Sequence, residues 1–567
     1  MSGYRSDVVT RFSLWASAIW LLTRFYEIQP GSTLLLSGEI VSSWIVVNII
    51  LICYGTLYKR HYSPFKTIPG PKSINWLYDH IFDIFDEPLA FNVTDWINEK
   101  AYPGGLLHFF GLFGSSYIVP TSAEALTEVL STRAYDYEKA SSFKRYTTRF
   151  WGHGLVSQEQ EEHKRNRKNY LPVFNQTNIN KLKPILFAKS MQFVDHISEL
   201  CATHDAKHTT NPDSTVVSIT KVTAMVSLDV TGIIALGIDF ETILGKNHEI
   251  VEAHEMLFSS SKDKRLLFLL YNIAPRWVLD LLRFPVANKM DHAHSILANV
   301  CRQILRERVG QPGKSEAQAL DFVENLGRSN LSDETNAIAQ LVVIIGGGYE
   351  SIGSTLAWVV YCLARHPEAQ EDLRKELAEF CDGLGNLKAD AEYDKLPVLN
   401  AVVMEATRLY PAFTLLFRKA IRDTMIGEQP IRKGTFVGMC PRAINYAHHL
   451  WGSDAAKFIP ERWIDRSDPG SPRLDPLGGA PASICMLSYS YGTRSCVGRE
   501  LAMAQMKRQI ALIVARFNVE PVDDYDPRPS GLFATGPPSD LLVRFTKLTV
   551  SYSLYSLLHD CYESKYR

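Results

Sequence analysis

Apolar residues recur at helical spacing through long stretches of this chain. The pattern predicts helices over Asn178–Cys201, Ser332–Arg365, His366–Cys381 and Val398–Tyr410. Alternating runs are few and short: TFVGMC ending at Cys440 and DLLVRFTKL ending at Leu548 predict strands. Proline clusters at Pro460, Pro469–Pro476 and Pro537–Pro538 mark loops. The expected fold class is mainly α with a minor β region.

One stretch has no polar face. From Ile40 to Tyr58 the chain is uncharged, with Asn48 its only strongly polar side chain. As a helix it would reach about 28 Å, close to the hydrocarbon thickness of a bilayer. Lys59, Arg60 and His61 follow at once and place the downstream side in the cytoplasm. The segment starts too far in, and lacks a small-residue cleavage site, for a removed signal peptide. A buried core helix is the alternative. PFKTIPGPKS, Pro64 to Ser73, then resists both helix and sheet. The expected layout is 1–39 lumenal or interfacial, 40–58 transmembrane anchor, 59–73 hinge, 74–548 one large domain and 549–567 a C-terminal tail. The apolar run Leu14–Leu22 is too short to span and suits the interface.

Composition changes this picture little. The 567 residues are 46% hydrophobic and 21% charged, which suits a globular protein with a sizeable core. A formal net charge of −1 gives no global signal for nucleic acid or an acidic substrate, and nucleic acid is not an expected partner. The nine cysteines are scattered, odd in number and form no CxxC pair. That argues against a disulfide framework or a zinc knuckle and suits a reducing compartment.

Four constellations carry chemistry. Gly346, Gly347 and Gly348 stand inside an otherwise apolar helix, where each costs about 1 kcal/mol relative to alanine. Glycine there admits something large and flat to the backbone, or a close helix crossing. Glu350 and Ser351 follow, an acid beside a hydroxyl: a proton-moving pair if enclosed, a solvated pair if not. Second, Glu405 and Arg408 share a helix face among Val402, Val403, Met404 and Leu409. Such a pair is expected to be buried and to need further partners, and Arg462 in FIPERW is available.

Third, EEHKRNRKNYLPVF holds His163 and Arg167 one helical turn apart, with Lys164, Arg165 and Lys168 around them. This is a solvated basic face, or a site for an acidic cofactor group and an acidic protein partner. Fourth, SYSYGTRSCVGRE brackets Cys496 with Gly492 and Gly498, two residues after Arg494 and at the start of a helix. Free N–H groups and the helix dipole stabilise a thiolate there, which suits an axial ligand to haem iron with Arg494 on a propionate. A free cysteine in a tight turn is the alternative, and Cys485 is a rival thiol without the glycine and arginine setting.

In this order, the pieces closely resemble the cytochrome P450 family. The haem-binding pattern F-x-x-G-x-R-x-C-x-G is met by Tyr489, Gly492, Arg494, Cys496 and Gly498. E-x-x-R is Glu405 and Arg408, and P-E-R is Pro460, Glu461 and Arg462. The oxygen-binding helix pattern becomes Gly347, Gly348, Tyr349, Glu350 and Ser351, and W/H-x-x-x-R becomes His163 and Arg167. HPEAQEDLRKEL and WGSDAAKF also match, so the resemblance spans roughly residues 65 to 548. Departures are Tyr489 for Phe, Ser351 for Thr, Gln505 for a common Glu, and Asn445-Tyr446-Ala447-His448 where H-R-D-P is frequent. Ser351 and Ile352 put the details of oxygen activation in doubt; haem binding stands.

The resemblance implies a P450 fold preceded by the transmembrane helix, with residues 74–548 as a haem-thiolate catalytic domain. Haem b would lie between the glycine-bearing helix, at Gly348, and the cysteine loop. Cys496 would ligate the iron and favour O–O cleavage, with Glu350, Ser351 and waters delivering protons. Tyr489 would shield the thiolate, Gly492 shape its turn and Gly498 open N–H groups to it. Arg494, Arg167 and His163 would bind propionates, with Arg418 a weaker candidate. Glu405, Arg408 and Arg462 would form a structural network.

Electrons would come from NADPH through a membrane-bound NADPH–cytochrome P450 reductase, with cytochrome b5 as a further candidate donor. The reductase would dock where Lys164, Arg165, Lys168, Lys507 and Arg508 supply positive charge. The expected location is the endoplasmic reticulum membrane, single-pass, with the catalytic domain cytosolic. The sequons at Asn92, Asn175 and Asn330 should then go unused. The local wording is most similar to fungal members, many of which tailor terpenoids or polyketides.

The segments expected to line the pocket are Phe143–His153, Ile344–Gly348, Ala412–Leu416 and Phe533–Thr535. They are largely apolar, so a hydrophobic small molecule is the expected substrate. Rival readings are a P450-like isomerase or dehydratase that needs no reductase, and a non-catalytic haem or membrane-scaffold protein. The acid–hydroxyl pair favours monooxygenation over the former.

Overall fold

The computed structural model describes residues 33–548, apart from 86–87, 100–102, 203–212, 275, 283, 310–333, 469, 523–525, 532–533 and 539–540. The run Leu14–Leu22, the tail 549–567, Asn330 and Phe533 lie outside the described residues.

The chain divides into two compact units, and the first takes residues up to Phe82 together with His108–Tyr117. Its main element is helix α1, Thr33–His61, longer at both ends than the apolar run that predicts it. Lys59, Arg60 and His61 stand in its last turn, and from Ile45 to Tyr58 most large apolar side chains are exposed. Arg60 closes this unit: its Nη1 reaches Asp79 Oδ2 at 2.9 Å, and its guanidinium lies 4.6 Å over the Phe110 ring. Tyr62–Asn75 is irregular backbone, as the prolines there require.

The second unit holds Asp83–Leu107 and everything from Ile118 onward. Its helices of ten or more residues are, in chain order, α2 Ser141–Phe150, α3 Gln160–Tyr170, α4 Gln176–Ala202, α5 Ile219–Leu236, α6 His248–Phe258 and α7 Lys262–Ile273. There follow α8 Pro285–Val309, α9 Glu334–Arg365, α10 Pro367–Phe380, α11 Pro397–Leu409 and α12 Arg499–Arg516. The four helices expected from periodicity correspond to α4, α9, α10 and α11, within two residues at each boundary. The strands are short: β1 Tyr137–Lys139, β2 Ser214–Ser218, β3 Leu416–Ala420, β4 Phe436–Met439, β5 Phe517–Pro521 and β6 Leu542–Lys547. β1, β3 and β4 pair antiparallel, with Lys139 opposite Arg418 and Arg418 opposite Val437. β6 is the middle strand of a second antiparallel sheet with β5 and β2.

Four helices form the centre. In α12 every residue from Leu501 to Arg516 is buried, and in α11 every residue from Leu399 to Leu409. Helices α5 and α9 are apolar and long enough to span a membrane, yet each is mostly buried in the protein, as core helices are. They approach closely because α9 presents glycine to α5. A Cβ on Gly353 would sit 2.9 Å from Ala224 Cα, and one on Gly348 would sit 2.4 Å from Thr231 Oγ1.

Candidate functional site

The cysteine loop is held from below by α11 and from the side by α3. Ser488 Oγ donates to Thr407 O at 2.8 Å and accepts from Asn445 Nδ2 at 2.9 Å. Cys496 N donates to Tyr489 O at 2.9 Å, which closes the turn. Gly492 has φ 67°, and a Cβ there would lie 2.3 Å from Leu130 O, so no other residue fits this turn without movement. The Gly498 and Arg499 N–H groups, at the start of α12, point at the Cys496 sulfur. Burial raises the Cys496 thiol above its ordinary value, while those N–H groups and the Arg167 and Arg499 charges oppose it.

Protein surrounds Cys496, and yet its side chain borders accessible space. Cys485, by contrast, is packed in the core, and its thiol is raised by burial. The two thiols therefore differ in the property a metal ligand needs: only Cys496 faces room for a partner. Tyr489 packs beside it, with its OH 3.5 Å from Met503 Sδ and the Arg499 guanidinium 5.7 Å from its ring centroid.

Helix α9 shows the same signature. It is buried for most of its length, but in its middle Val343, Ile344, Gly347, Gly348, Glu350 and Ser351 remain accessible. A Cβ on Gly347 would meet nothing within 4 Å, whereas one on Gly346 would press 2.3 Å from Phe258 Cζ. The three glycines thus have separate tasks. Gly346 receives the α6 aromatic, Gly348 admits Thr231 of α5, and Gly347 alone faces open space. Ser351 Oγ donates to Gly347 O at 2.5 Å. Burial pushes the Glu350 carboxyl up to about 7; the Lys264 charge pulls it down and Glu255 pushes it further up. Among the described residues no hydrogen bond or ion pair joins Glu350 or Ser351 to the cysteine loop.

A cluster of cations gathers where β1 and β3 pair. The register sets Lys139 beside Arg418, and α3 brings His163 toward them. Arg494 Nη2 lies 2.5 Å from Glu159 Oε2, and its guanidinium sits 5.1 Å from the Tyr135 ring centroid. Lys139 Nζ lies 3.4 Å from the same carboxylate, on Oε1. Arg418 is buried and lowered to about 10, first by burial and then by Arg494. His163 Nδ1 meets Tyr135 OH at 3.1 Å, and burial with four neighbouring cations pushes its imidazole down to about 3. It is neutral at ordinary pH.

Arg494 Nε and Nη1 and Arg418 Nη1 are buried and have no hydrogen-bond partner among the described residues. Glu159 answers Arg494, Lys139 and Arg418, and Glu138 near Arg494 is already paired to Lys144, so the cations outnumber their carboxylates and the two carboxylates of a haem fit this set. Arg167, also expected on a propionate, reaches the cysteine loop. Its Nη1 donates to Ser495 O at 2.6 Å and its Nη2 to Ser495 Oγ at 3.0 Å, so it grips the cysteine loop itself.

Behind the loop lies a buried ion-pair network. Arg408 Nε donates to Glu405 Oε2 and Nη2 to Oε1, both at 2.8 Å, and neither side chain is exposed. Arg462 Nε reaches Glu405 Oε1 at 3.0 Å, and Trp463 Nε1 donates to Oε2 at 2.9 Å. Arg408 Nη1 also donates to Asn445 O and Ala455 O, each at 2.6 Å. Both partners are fully hydrogen-bonded, which a pair at this depth requires.

Two expected surface charges are corrected. Lys507 is buried against Asp394, Nζ to Oδ1 2.6 Å, and Arg508 is wholly buried with its guanidinium 5.1 Å from the Tyr393 ring centroid. Neither can meet a partner protein, because α12 is enclosed on all sides. Lys164, Arg165 and Lys168 are exposed on α3. Sequence reasoning also missed Trp463, Lys139 and Glu159. Trp463 was legible as the residue after the P-E-R loop; Lys139 and Glu159 carry no local signal, since strand register and a neighbouring loop bring them in.

Comparison with known proteins agrees with this geometry. Residues 69–543 match the model of the family described as cytochrome P450. Cytochrome P450 monooxygenase sphH of Aspergillus fumigatus is 29% identical over 502 residues, covering 86% of this chain and 90% of the relative. Cytochrome P450 monooxygenase ptmK of Penicillium ochrochloron is 28% identical, covering 87% and 98%. Cytochrome P450 monooxygenase buaD of Petromyces alliaceus is 27% identical, covering 89% and 88%. The family implies haem with an axial cysteine. With a match over most of its length, the chain belongs to the cytochrome P450 family, as an enzyme of its monooxygenase class.

Proposed function

We propose that this chain is a haem-thiolate monooxygenase that oxidises a hydrophobic small molecule, a terpenoid or polyketide intermediate of fungal secondary metabolism. Its electrons come from NADPH through a cytochrome P450 reductase, with cytochrome b5 as a further candidate donor. The observation that carries the reading is Cys496: enclosed by protein, open to accessible space, and faced by N–H groups at the start of α12. Bound there on the Cys496 thiolate, haem would supply oxygen activation.

The chain's own residues then have distinct tasks. Arg418, Arg494 and Lys139 would hold the two carboxylates of haem, with Arg167 and His163 as further candidates, and neutral His163 meets Tyr135. Arg167 fixes the loop through Ser495, while Glu405, Arg408 and Arg462 brace it from behind. Gly347 leaves room in the middle of α9, and Ser351 offers a hydroxyl there. Glu350, with an affinity near neutrality, holds and passes a proton at its carboxyl, as a general acid should.

The pocket draws on the middle of α9 and on segments laid against it. A Cβ on Gly152 would lie 2.8 Å from Ala339 Cβ, and one on Gly154 would lie 2.6 Å from Val343 Cγ2. Thr535 N donates to Ala412 O at 2.6 Å, joining the last two lining segments. These surfaces are apolar, which supports a hydrophobic substrate. The exposed apolar surface of α1 and the basic residues in its last turn support a single-pass anchor in the endoplasmic reticulum membrane, with the catalytic domain in the cytosol.

Co-expression with a reductase, followed by metabolite profiling against terpenoid and polyketide panels, tests the activity. The reduced carbon monoxide complex should show the thiolate-type absorption shift. Cys496→Ala should abolish it and Cys485→Ala should keep it; haem bound without that shift in the unaltered protein would sink the reading.

A further inference from the structure

A lysine outside every expected motif is tied to the end of α6, where that helix packs on α9. Lys264, in the first turn of α7, is buried, and its Nζ donates to Ser259 O at 2.7 Å and Ser259 Oγ at 3.1 Å. Ser259 directly follows Phe258, whose ring occupies the notch left by Gly346. His254, one turn earlier on α6, packs its ring 5.0 Å from that of Tyr349. Gly346 and Glu350 are four residues apart and share a helix face. The end of α6 therefore delivers Ser259, and with it the Lys264 ammonium, to the α9 turn that carries Glu350.

We propose that Lys264 is a positioning residue for Glu350: its ammonium, tethered to Ser259 at the α6–α9 contact, holds the charge of that carboxylate and sets when the acid releases its proton. The consequence for turnover rests on the proton-delivery reading of Glu350. The pairing itself does not.

The electrostatics agree with the geometry. Glu350 and Lys264 each stabilise the other's charged form, and burial works against both. Burial lowers Lys264 to about 8, so it is still mostly a cation near neutrality. Glu255 of α6 acts on Glu350 in the opposite sense to Lys264. His254, pushed down to about 4 by burial, adds no charge above that value, and Tyr349 is raised by burial and stays neutral. Lys264 is thus the one cation acting on Glu350 within this group.

The test is a pH titration of the Glu350 carboxyl band in the infrared difference spectrum of the full-length protein, assigned by its loss in Glu350→Gln. The midpoint should lie near 7 in the unaltered chain. In Lys264→Met it should rise by about one unit, a tenfold gain in proton affinity. Lys264→Arg should restore it, and Ser259→Ala should shift it upward by less. An unchanged midpoint in both Lys264→Met and Ser259→Ala overturns the pairing. Separately, if Glu350→Gln leaves the solvent isotope effect and the coupling of oxygen use to product unchanged, proton delivery fails while the titration still decides Lys264.

Discussion

Glu405 and Arg408 meet in a two-point pair, with Nε to Oε2 and Nη2 to Oε1 both at 2.8 Å and no exposure of either side chain. The pair is anchored by Arg462, Trp463 and three backbone carbonyls, so its surroundings are built to hold two charges. Removing one charge strands the other. Glu405→Gln should lose about 3–5 kcal/mol of stability, because the Arg408 charge remains buried. Trp463→Phe removes one hydrogen bond to the carboxylate and should lose about 1.5–3 kcal/mol. Thermal or denaturant midpoints of the purified protein, with haem content as a second readout, rank the two. Equal small losses would show the network to be dispensable.

The glycine run gives a graded series. Gly346→Ala forces Phe258 to move and Gly348→Ala presses on Thr231, each expected to destabilise by about 1–3 kcal/mol. Gly347→Ala meets nothing and should gain up to about 1 kcal/mol from helix propensity. Its effect should appear in the optical spectrum on substrate addition, since its methyl enters the open side of α9. Unfolding midpoints and substrate titrations of the three variants check the order.

His163 should shape acid stability. Its folded-state value, about 3, lies below the ordinary 6.5, so the unfolded chain binds the proton first. Its contribution is complete above 6.5 and is lost as pH falls from there toward 3. His163→Gln should flatten the stability curve in that window, by up to about 1.4 kcal/mol per pH unit. Urea midpoints measured across the window test this; parallel curves for the two proteins would count against it.

The basic surface of α3 separates from the buried charges of α12. Charge reversal at Arg165 and Lys168 should slow electron transfer from the reductase and reduce its salt dependence. Lys507→Met should leave that salt dependence unchanged and instead lower stability, because it strips Asp394 of its partner. Stopped-flow reduction at several ionic strengths, beside unfolding midpoints, distinguishes the two classes.

Much of this protein was legible in its sequence. Periodicity alone delivered α4, α9, α10 and α11 with small boundary errors, because their apolar residues recur at helical spacing. Cys496 could be singled out from nine cysteines by its glycines and arginine, which are needed locally to make the turn and aim the N–H groups. The pairing of Glu405 with Arg408 followed from helical spacing, and Arg462 from a stiff loop nearby.

Tertiary structure decided which charges face water and which face each other. Lys507 and Arg508 look like any basic pair on a helix, but α12 is packed on every side and they are buried. Arg167 reaches Ser495 because α3 passes close to the cysteine loop. Lys139 lies opposite Arg418 through strand register, and Lys264 is tied to Ser259 at the end of α6, against the turn of α9 that carries Glu350, across separations no local pattern spans. Short-range geometry sets which residues a turn or helix face can present. Burial and long-range contact set their charge, and those exist only once the chain has folded.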